Sequence, residues 1–357
     1  MYDNGHHHHD RDPGEKVDWY RIPVGGKTLS ALNQKSDLKG FVQTIGFLAI
    51  LTATGSAAYF SIGRLPWYLV IPLFLIHGSV WSFLINGFHE LIHDSVFKTR
   101  WLNGFFLRIF SFLGWYNHVQ FWASHTEHHK FTLHPPDDLE ETLPKRYNWW
   151  RTLRYSVINP WWPYNMLRGQ IRTAFGVIEG DWMHHLFDDE PELRRKLKNW
   201  ARVMLIGHGV IIAVSIYMRW WTLPLVTTLT PMYGSPLHFF TNSAQHAGLR
   251  DNVPDFRLCC RTIYLNPLLQ FIYWNMNFHT EHHMYAGVPC YNLPKLHRLI
   301  KDDMPHCPSG LIETWTQIIA IEQRQKYDPS YLFTPAVPPK RTKGAPTAET
   351  LALSATA

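Results

Sequence analysis

Four groups of histidine stand out in this sequence, because their spacing would place several imidazoles side by side. The first is HELIH at 89–93, and the second and fourth are two copies of HTEHH, at 125–129 and 279–283. The third is a single histidine, His246, in the segment NSAQH. Side chains three and four residues apart lie on one face of an α-helix. Clustered imidazoles are costly without a partner and are common metal ligands, so the repeated HTEHH predicts a metal site.

The number of these histidines indicates the kind of metal site. Zinc sites use three or four protein ligands, so nine nitrogens exceed what one ion takes and fit two ions with four or five each. Imidazole suits iron, zinc and copper, and a dinuclear, nitrogen-rich site beside a membrane favours O₂ activation by iron, because hydrolysis rarely needs so large a cage. The predicted metal ligands are His89, His93, His125, His128, His129, His246, His279, His282 and His283.

One alternative uses the first group alone. HELIH matches the HExxH pattern of zinc metalloproteases, in which the glutamate is the general base. That hypothesis explains five residues and leaves both HTEHH copies without a role. In a shared metal site Glu90 instead becomes a candidate for orienting a ligand histidine. A metal-storing or haem-binding membrane protein is the non-enzymatic alternative.

The elements that carry these groups are predicted to be membrane spans. Charged residues make up 17% of the chain, well below the roughly 25% of soluble proteins. Residues 41–63 and 65–88 contain no Asp, Glu, Lys or Arg, and each stretch exceeds the roughly 20 residues that a spanning helix needs. A second hairpin is predicted over 203–218 and 220–240, although three prolines interrupt its second half. The predicted fold is an all-α integral membrane protein, with four transmembrane helices in two hairpins and a cytosolic helical cap that holds a dinuclear metal site.

The distribution of basic residues predicts the orientation. Residues 1–40 carry 6 Lys and Arg, residues 89–202 carry 15, and residues 250–357 carry 11, whereas each tight connection carries one. By the positive-inside rule, both termini and the histidine groups are expected on the cytoplasmic side, of the endoplasmic reticulum in a eukaryote or of the inner membrane in a bacterium. A basic face beside anionic headgroups accounts for the net charge of +6, and no nucleic-acid motif is present.

The remaining chain divides around this membrane region. Residues 1–40 are predicted to be an N-terminal cytosolic arm, 41–327 the membrane domain, and 328–357 a flexible tail rich in Pro, Ala, Thr and Lys. Four consecutive histidines at 6–9 have no fixed geometry and are expected to have no role. The four cysteines show no CxxC spacing and are expected to be free thiols in a reducing cytosol.

These motifs resemble the membrane fatty acid desaturase and hydroxylase superfamily over about residues 41–305. The resemblance rests on three histidine boxes in order, on TNSAQHAGL at 241–249, and on RTIYLNPLLQFIYWNMNFHTEHHMYAGVPCYNLPKLH at 261–297. It implies a non-haem diiron centre held by the box histidines, with O₂ as co-substrate. His246 matches a ligand position known from acyl-CoA desaturases, and the resemblance implies that Asn242 acts close to the metal.

The function that the resemblance implies is O₂-dependent desaturation of a long alkyl or acyl chain in fatty acid or lipid metabolism. A hydroxylase of the same class, acting on a lipid or carotenoid-like substrate, is the alternative, because oxygen rebound gives an alcohol where loss of a second hydrogen gives an alkene. The first box is HxxxH rather than the HxxxxH common in acyl-CoA desaturases, which favours the acyl-lipid or hydroxylase branches. No His-Pro-Gly-Gly haem-binding stretch occurs, so a separate ferredoxin or cytochrome b5 system is expected to supply electrons.

Overall fold

The computed structural model describes residues 14–145 and 147–341, and these form helices and loops without a β-strand. The predicted all-α fold class is therefore confirmed; the histidine run at 6–9 lies outside the described residues. The helices are α1 Gly26–Leu32, α2 Asp37–Ser61, α3 Trp67–Ser82, α4 Leu84–Ile92, α5 Arg100–Gly114, α6 His118–Phe131, α7 Trp149–Val157, α8 Trp162–Ala174, α9 Asp181–Phe187, α10 Pro191–Tyr217, α11 Pro236–Asn242, α12 Phe256–Cys259, α13 Pro267–Ile272, α14 His279–Met284, α15 Leu293–Ile300 and α16 Gly310–Gln325.

Three helical stretches of the described chain are long and apolar enough to cross a bilayer. They are α2, the nearly continuous pair α3 and α4 over Trp67–Ile92, and α10, with 25, 26 and 27 residues. Large apolar side chains on them face outward, for example Trp67 at 73% exposure and Ile206 at 68%. Exposed apolar faces of this extent are typical of surfaces that contact lipid or another protein. The structure thus supports association with a membrane.

The first predicted hairpin is held by a close contact between α2 and α3. A Cβ atom on Gly55 would lie 2.9 Å from Cε1 of His77, so glycine lets the imidazole reach the backbone of α2. His77 Nδ1 lies 3.1 Å from Thr54 Oγ1, and its Nε2 lies 3.0 Å from the carbonyl oxygen of Val226. These contacts satisfy a buried polar ring between apolar helices, where an unpaired polar group would be costly.

The second hairpin differs from the sequence prediction. The expected span over 203–218 is the end of a longer helix, α10, whose first turns are charged and begin at Pro191. The expected helix over 220–240 is not continuous: 3₁₀ turns at Pro224–Val226 and Thr230–Met232 precede the seven-residue α11. Proline lacks the N–H that a helix interior needs. Pro224 and Pro236 are the first residues of their elements, and Pro231 is the second residue of its 3₁₀ turn.

The N-terminal arm and the tail meet on the folded body near α12. Arg257 Nη1 donates to the carbonyl of Pro338 at 3.0 Å, and the backbone N–H of Arg341 donates to the Tyr20 hydroxyl at 2.9 Å. Arg341 Nε also lies 2.8 Å from an oxygen of Asp303. The described part of the predicted tail, residues 328–341, therefore makes specific contacts with the arm and the body; we call this set the terminal contact.

Candidate metal centre

Three helices and one turn present the histidine groups. The α4 helix ends at the first group, α6 carries the second, and α14 carries the fourth, while His246 follows α11 in a turn. The start of α6 is fixed by Asn117, whose side-chain oxygen accepts the N–H groups of Val119 and Gln120 at 3.2 and 3.4 Å, as N-cap residues do. The segment before α14 holds Trp274 and Asn275 at positive φ, both 54°, a backbone state that is strained for a bulky residue.

Five of the imidazoles form one group, with one nitrogen from each lying within 4.8 Å of the others. Nε2 of His89 lies 2.9 Å from Nε2 of His282 and 3.0 Å from Nε2 of His125. His129 Nε2 lies 3.0 Å from the same nitrogen of His125 and 3.2 Å from that of His282. The members of this group, called here the five-histidine group, are His89, His93, His125, His129 and His282.

The other four imidazoles form an adjacent group. Nitrogens of His128, His246 and His283 lie within 4.8 Å of one another. His279 joins them, because its Nε2 lies 2.9 Å from Nε2 of His246 and 3.1 Å from Nε2 of His283. All nine histidines chosen from the sequence thus lie in two neighbouring sets, the five-histidine group and this four-histidine group; as metal ligands they remain a prediction.

Three of the rings have a hydrogen-bond acceptor at Nδ1, the nitrogen that points away from the other imidazoles. Nδ1 of His125 lies 2.8 Å from a Glu140 oxygen, Nδ1 of His128 lies 2.8 Å from an Asp138 oxygen, and Nδ1 of His246 lies 2.7 Å from the carbonyl oxygen of Cys259. Because an ionised carboxylate or a carbonyl can only accept, the ring proton belongs on Nδ1. In the neutral rings of His125 and His246 the lone pair of Nε2 then faces the other imidazoles.

This arrangement fits metal ions as the missing partner. Four Nε2···Nε2 contacts of 2.9–3.2 Å join His89, His125, His129 and His282. Because neutral His125 carries its proton on Nδ1, at most three Nε2 protons are available for these four contacts, and they cannot all be hydrogen bonds. Nε2 of His93 is buried and lacks a hydrogen-bond partner within the described residues. A buried polar atom of this kind requires an explanation, and a cation shared among neutral imidazoles satisfies both observations.

Burial keeps most of these rings neutral. It lowers the pKa of His93 to about 4 and that of His246 to about 3, and it lowers the pKa values of His125, His129 and His279 far below the usual range. Burial removes water from the charged form of each ring, and neighbouring imidazoles add repulsion for most of them. Neutral rings are the form in which histidine binds a metal.

His128 is the exception. Burial disfavours its charged form, but the Asp138 carboxylate outweighs that penalty through charge and hydrogen bonding and raises the pKa of His128 to about 9. Burial would likewise raise the pKa of Asp138, but His128 and the backbone N–H groups of Leu133 and Glu140 lower it. Asp138 is fully buried, so the charged form of His128 is stabilised by a carboxylate that water does not screen.

The two predicted catalytic residues take different places. An oxygen of Glu90 lies 3.4 Å from Nδ1 of His282, and Ser95 Oγ donates to the Glu90 backbone carbonyl at 3.0 Å. Glu90 therefore faces the back of an imidazole of the five-histidine group. The side-chain oxygen of Asn242 accepts from the amide of Asn86 at 3.3 Å, so it lies beside α4 and one turn before His246, and a role at the metal remains a prediction.

Sequence reasoning missed the carboxylates that hold the second histidine box. Asp138 and Glu140 come from the loop after α6, and the acidic run DDLEE at 137–141 is the one signal that could have marked them. Glu281, inside the fourth group, instead contacts His297 Nδ1 and accepts from Thr262 Oγ1 at 2.5 Å. It therefore braces α14 against α15.

A cavity of about 590 Å³ opens onto the five-histidine group. The arm contributes Lys16, Trp19 and Arg21 to its lining, and α6 contributes Trp122 and Lys130. His93, His125 and His129 also line it. The volume lies within the range of small-ligand sites, and the lining combines apolar and cationic side chains.

The long apolar helices and the two histidine groups together define the class: a membrane-associated protein with a candidate dinuclear metal centre.

The family model for fatty acid desaturases matches residues 64–315, and the chain belongs to that family. It is 22% identical to an sn-1 oleoyl-lipid 12-desaturase of Picosynechococcus sp. over 318 residues, and this alignment covers 80% of the present chain and 84% of that protein. It is 20% identical over 267 residues to the protein of the same name from Anabaena variabilis, which covers 69% and 72%. The predicted family is confirmed, and this assignment leaves the metalloprotease hypothesis without support.

Proposed function

We propose that this oxidoreductase introduces a double bond into a long acyl or alkyl chain of a lipid, at two iron ions held by the five-histidine and four-histidine groups. The observation that carries the proposal is the convergence of nine imidazoles from four separate segments into two neighbouring sets. Iron bound there would supply the means of activating O₂ with two external electrons, so that hydrogen can be removed from an unactivated C–H bond. Membership of the fatty acid desaturase family supports this choice of metal and reaction.

The chain's own residues prepare the site for that chemistry. Glu140, Asp138 and the Cys259 carbonyl hold protons at Nδ1 of three ligand rings, so each ring offers its Nε2. Such partners raise the basicity of a ligand and fix its orientation. Seven of the nine rings are buried, and His93 and His129 are partly exposed; this burial restricts the access of bulk water to the centre, which limits loss of reactive oxygen species into solution.

The substrate in this proposal is a lipid-linked acyl chain. Two observations support it: the two similar proteins carry the name sn-1 oleoyl-lipid 12-desaturase, and the cavity over the five-histidine group includes apolar side chains, among them Val17, Ile92 and Phe131, that suit an alkyl chain. A hydroxylase would use the same centre, and the product separates the two reactions.

We further propose that the protein is integral to the membrane, with the broken segment 220–240 completing a fourth crossing beside α2, α3–α4 and α10. Both termini and the metal centre then face the cytoplasm, in the endoplasmic reticulum or the bacterial inner membrane, where a ferredoxin or a cytochrome b5 system can deliver electrons. The concentration of Lys and Arg outside the apolar helices supports this orientation. His77, buried against Val226, supports the packing of the broken segment against the α2–α3 hairpin.

Lipid analysis and metal analysis test the proposal together. Cells that express the chain should gain unsaturated acyl chains, and the purified protein should hold about two irons. His128→Ala and His282→Ala should lose iron and product together, whereas His184→Ala, on an exposed helix turn beside Asp188, should lose neither. One zinc without iron, or full activity in either ligand variant, would refute the shared centre; hydroxylated lipids would select the hydroxylase.

A further inference from the structure

A second cavity lies away from the metal centre, where α1, the start of α2 and the start of α15 meet. Its volume is about 300 Å³, at the small end of the range for ligand sites. Three of its nine lining residues are lysines, and none is acidic. The lining residues, called here the lysine pocket, are Thr28, Ala31, Leu32, Gln34, Lys35, Ser36, Lys39, Asn292 and Lys295.

The backbone around this pocket is fixed by specific hydrogen bonds. Asn292 is buried, and its amide donates to the carbonyl of Leu32 at 2.8 Å. The Ser36 N–H donates to the Tyr291 hydroxyl at 2.8 Å. These bonds join the arm to the segment that precedes α15, so the lysines project from a rigid frame.

Two of the three ammonium groups donate hydrogen bonds to uncharged oxygens. Lys35 Nζ donates to the carbonyl of Asp94 at 2.5 Å, and Lys39 Nζ donates to the Asn292 side chain at 3.4 Å. Neither contact neutralises a charge. The nearest acid along the chain, Asp37, accepts the N–H and the hydroxyl of Thr99 at 2.8 and 2.7 Å. The pocket therefore keeps an excess of positive charge that suits an anion.

The position of the pocket indicates which anion. Lys39 is in the first turn of α2, and the apolar, outward-facing surface of that helix begins there: Leu38 is 75% exposed and Val42 is 61% exposed. Val42 follows Lys39 by three residues and so lies on the same helical face. A ligand with a phosphate in the pocket could thus lay apolar chains along α2.

We propose that the lysine pocket binds the phosphate group of an anionic phospholipid, at the bilayer surface where α2 enters the membrane. The occupant is a lipid that holds α1, α2 and α15 together; the site is separate from the metal centre and binds without chemistry. Basic clusters beside spanning helices recognise anionic headgroups in this way, and a single phosphodiester headgroup is small enough for the cavity. The proposal goes beyond the proposed reaction and depends only on α2 crossing a membrane.

Lipid retention by the purified full-length protein tests the site. Protein in detergent is titrated with phosphatidylglycerol or with phosphatidylcholine, and bound lipid is counted by native mass spectrometry. The variant Lys35→Gln, Lys39→Gln, Lys295→Gln removes the pocket charge. Each lysine near an anionic headgroup contributes on the order of fivefold in affinity, so we expect this variant to bind phosphatidylglycerol on the order of 100-fold more weakly and phosphatidylcholine unchanged.

Two further variants keep the result decisive. Lys196→Gln, Lys301→Gln, Lys326→Gln changes the net charge equally on exposed lysines elsewhere and should bind phosphatidylglycerol as the unmodified protein does. Replacement of the three pocket lysines by arginine should also retain binding. Equal retention by the pocket glutamine variant, or an equal loss in the control variant, would overturn the proposal. Displacement of phosphatidylglycerol by inorganic phosphate that itself binds without lipid would overturn it in favour of a soluble anion.

Discussion

Asp138 allows the sharpest test of how the metal centre is organised. Its Oδ2 lies 2.8 Å from Nδ1 of His128 and also accepts the N–H of Leu133 at 2.8 Å, while Oδ1 accepts the N–H of Glu140 at 2.9 Å. Asp138→Asn keeps the shape and removes the charge. Because the two backbone N–H groups require oxygen, the new amide cannot accept from all its neighbours at once.

The substitution should act through the tautomer of His128. If the amide nitrogen faces the ring, its N–H opposes the proton on Nδ1, and His128 is stabilised with its proton on Nε2 instead. That nitrogen then cannot bind a metal, in the way that the corresponding Asp→Asn change in a serine protease triad selects the wrong tautomer. Losing such a partner typically costs 10- to 100-fold in metal affinity, or about 1.4 to 2.7 kcal/mol.

Anaerobic titration of the metal-free protein with Fe(II) against a chelator measures this affinity. We expect the unmodified protein to bind two ions and Asp138→Asn to bind one of them 10- to 100-fold more weakly, with a matching loss of desaturated product. Asp137→Asn is the control. It removes the same charge at the adjacent residue, whose carboxylate accepts the Gly14 N–H at 2.9 and 3.0 Å. Unchanged affinity for both ions in Asp138→Asn would refute the reasoning, as would an equal loss in the control.

Other substitutions probe the remaining contacts of the site. Glu90→Gln should weaken iron binding less than Asp138→Asn, because its oxygen lies 3.4 Å from the ring nitrogen of His282; a larger effect in the same iron titration would contradict the longer contact. Gly87→Ala should lower the free energy of unfolding by about 1 to 3 kcal/mol, since its Cβ would lie 2.4 and 2.5 Å from aromatic ring carbons. Gly209→Ala is the control, because nothing lies within 4 Å of its new Cβ, and it should leave thermal stability in detergent unchanged or raise it. Equal losses of stability in both variants would contradict the explanation by steric contact at Gly87.

Helical spacing was enough to predict that the rings of each histidine box lie close together, but it did not predict how they divide. His128 lies in the four-histidine group, whereas His125 and His129 of the same helix lie in the five-histidine group. His246 is a lone histidine without such spacing, and it was predicted from its position just after an apolar stretch and from the resemblance to acyl-CoA desaturases. The acids Asp138 and Glu140 could not be assigned this way, because their partners lie 10 and 15 residues earlier. The path of a loop across that distance is set by packing that no local pattern encodes.

The apolar stretches predicted the first hairpin well and the second poorly. In 220–240 hydropathy and backbone chemistry conflict: the side chains suit a membrane, while Pro224, Pro231 and Pro236 divide the backbone. For α10 the opposite happened, because its charged first turns lie outside any apolar window and still continue the same helix from Pro191. The length and hydropathy of a stretch predict whether it can contact lipid, whereas backbone hydrogen bonding determines where its helix begins and ends.

The terminal contact has a practical consequence for supplying electrons. The backbone of Arg341 bonds the Tyr20 side chain, and the neighbouring Trp19 lines the cavity over the five-histidine group. A redox domain fused directly after Arg341 would therefore start close to that cavity. A short tether places its partner at an effective concentration in the millimolar range. If the proposed external donor is replaced by such a fused domain, turnover measured against linker length would report how far the attached donor must reach to reduce the centre.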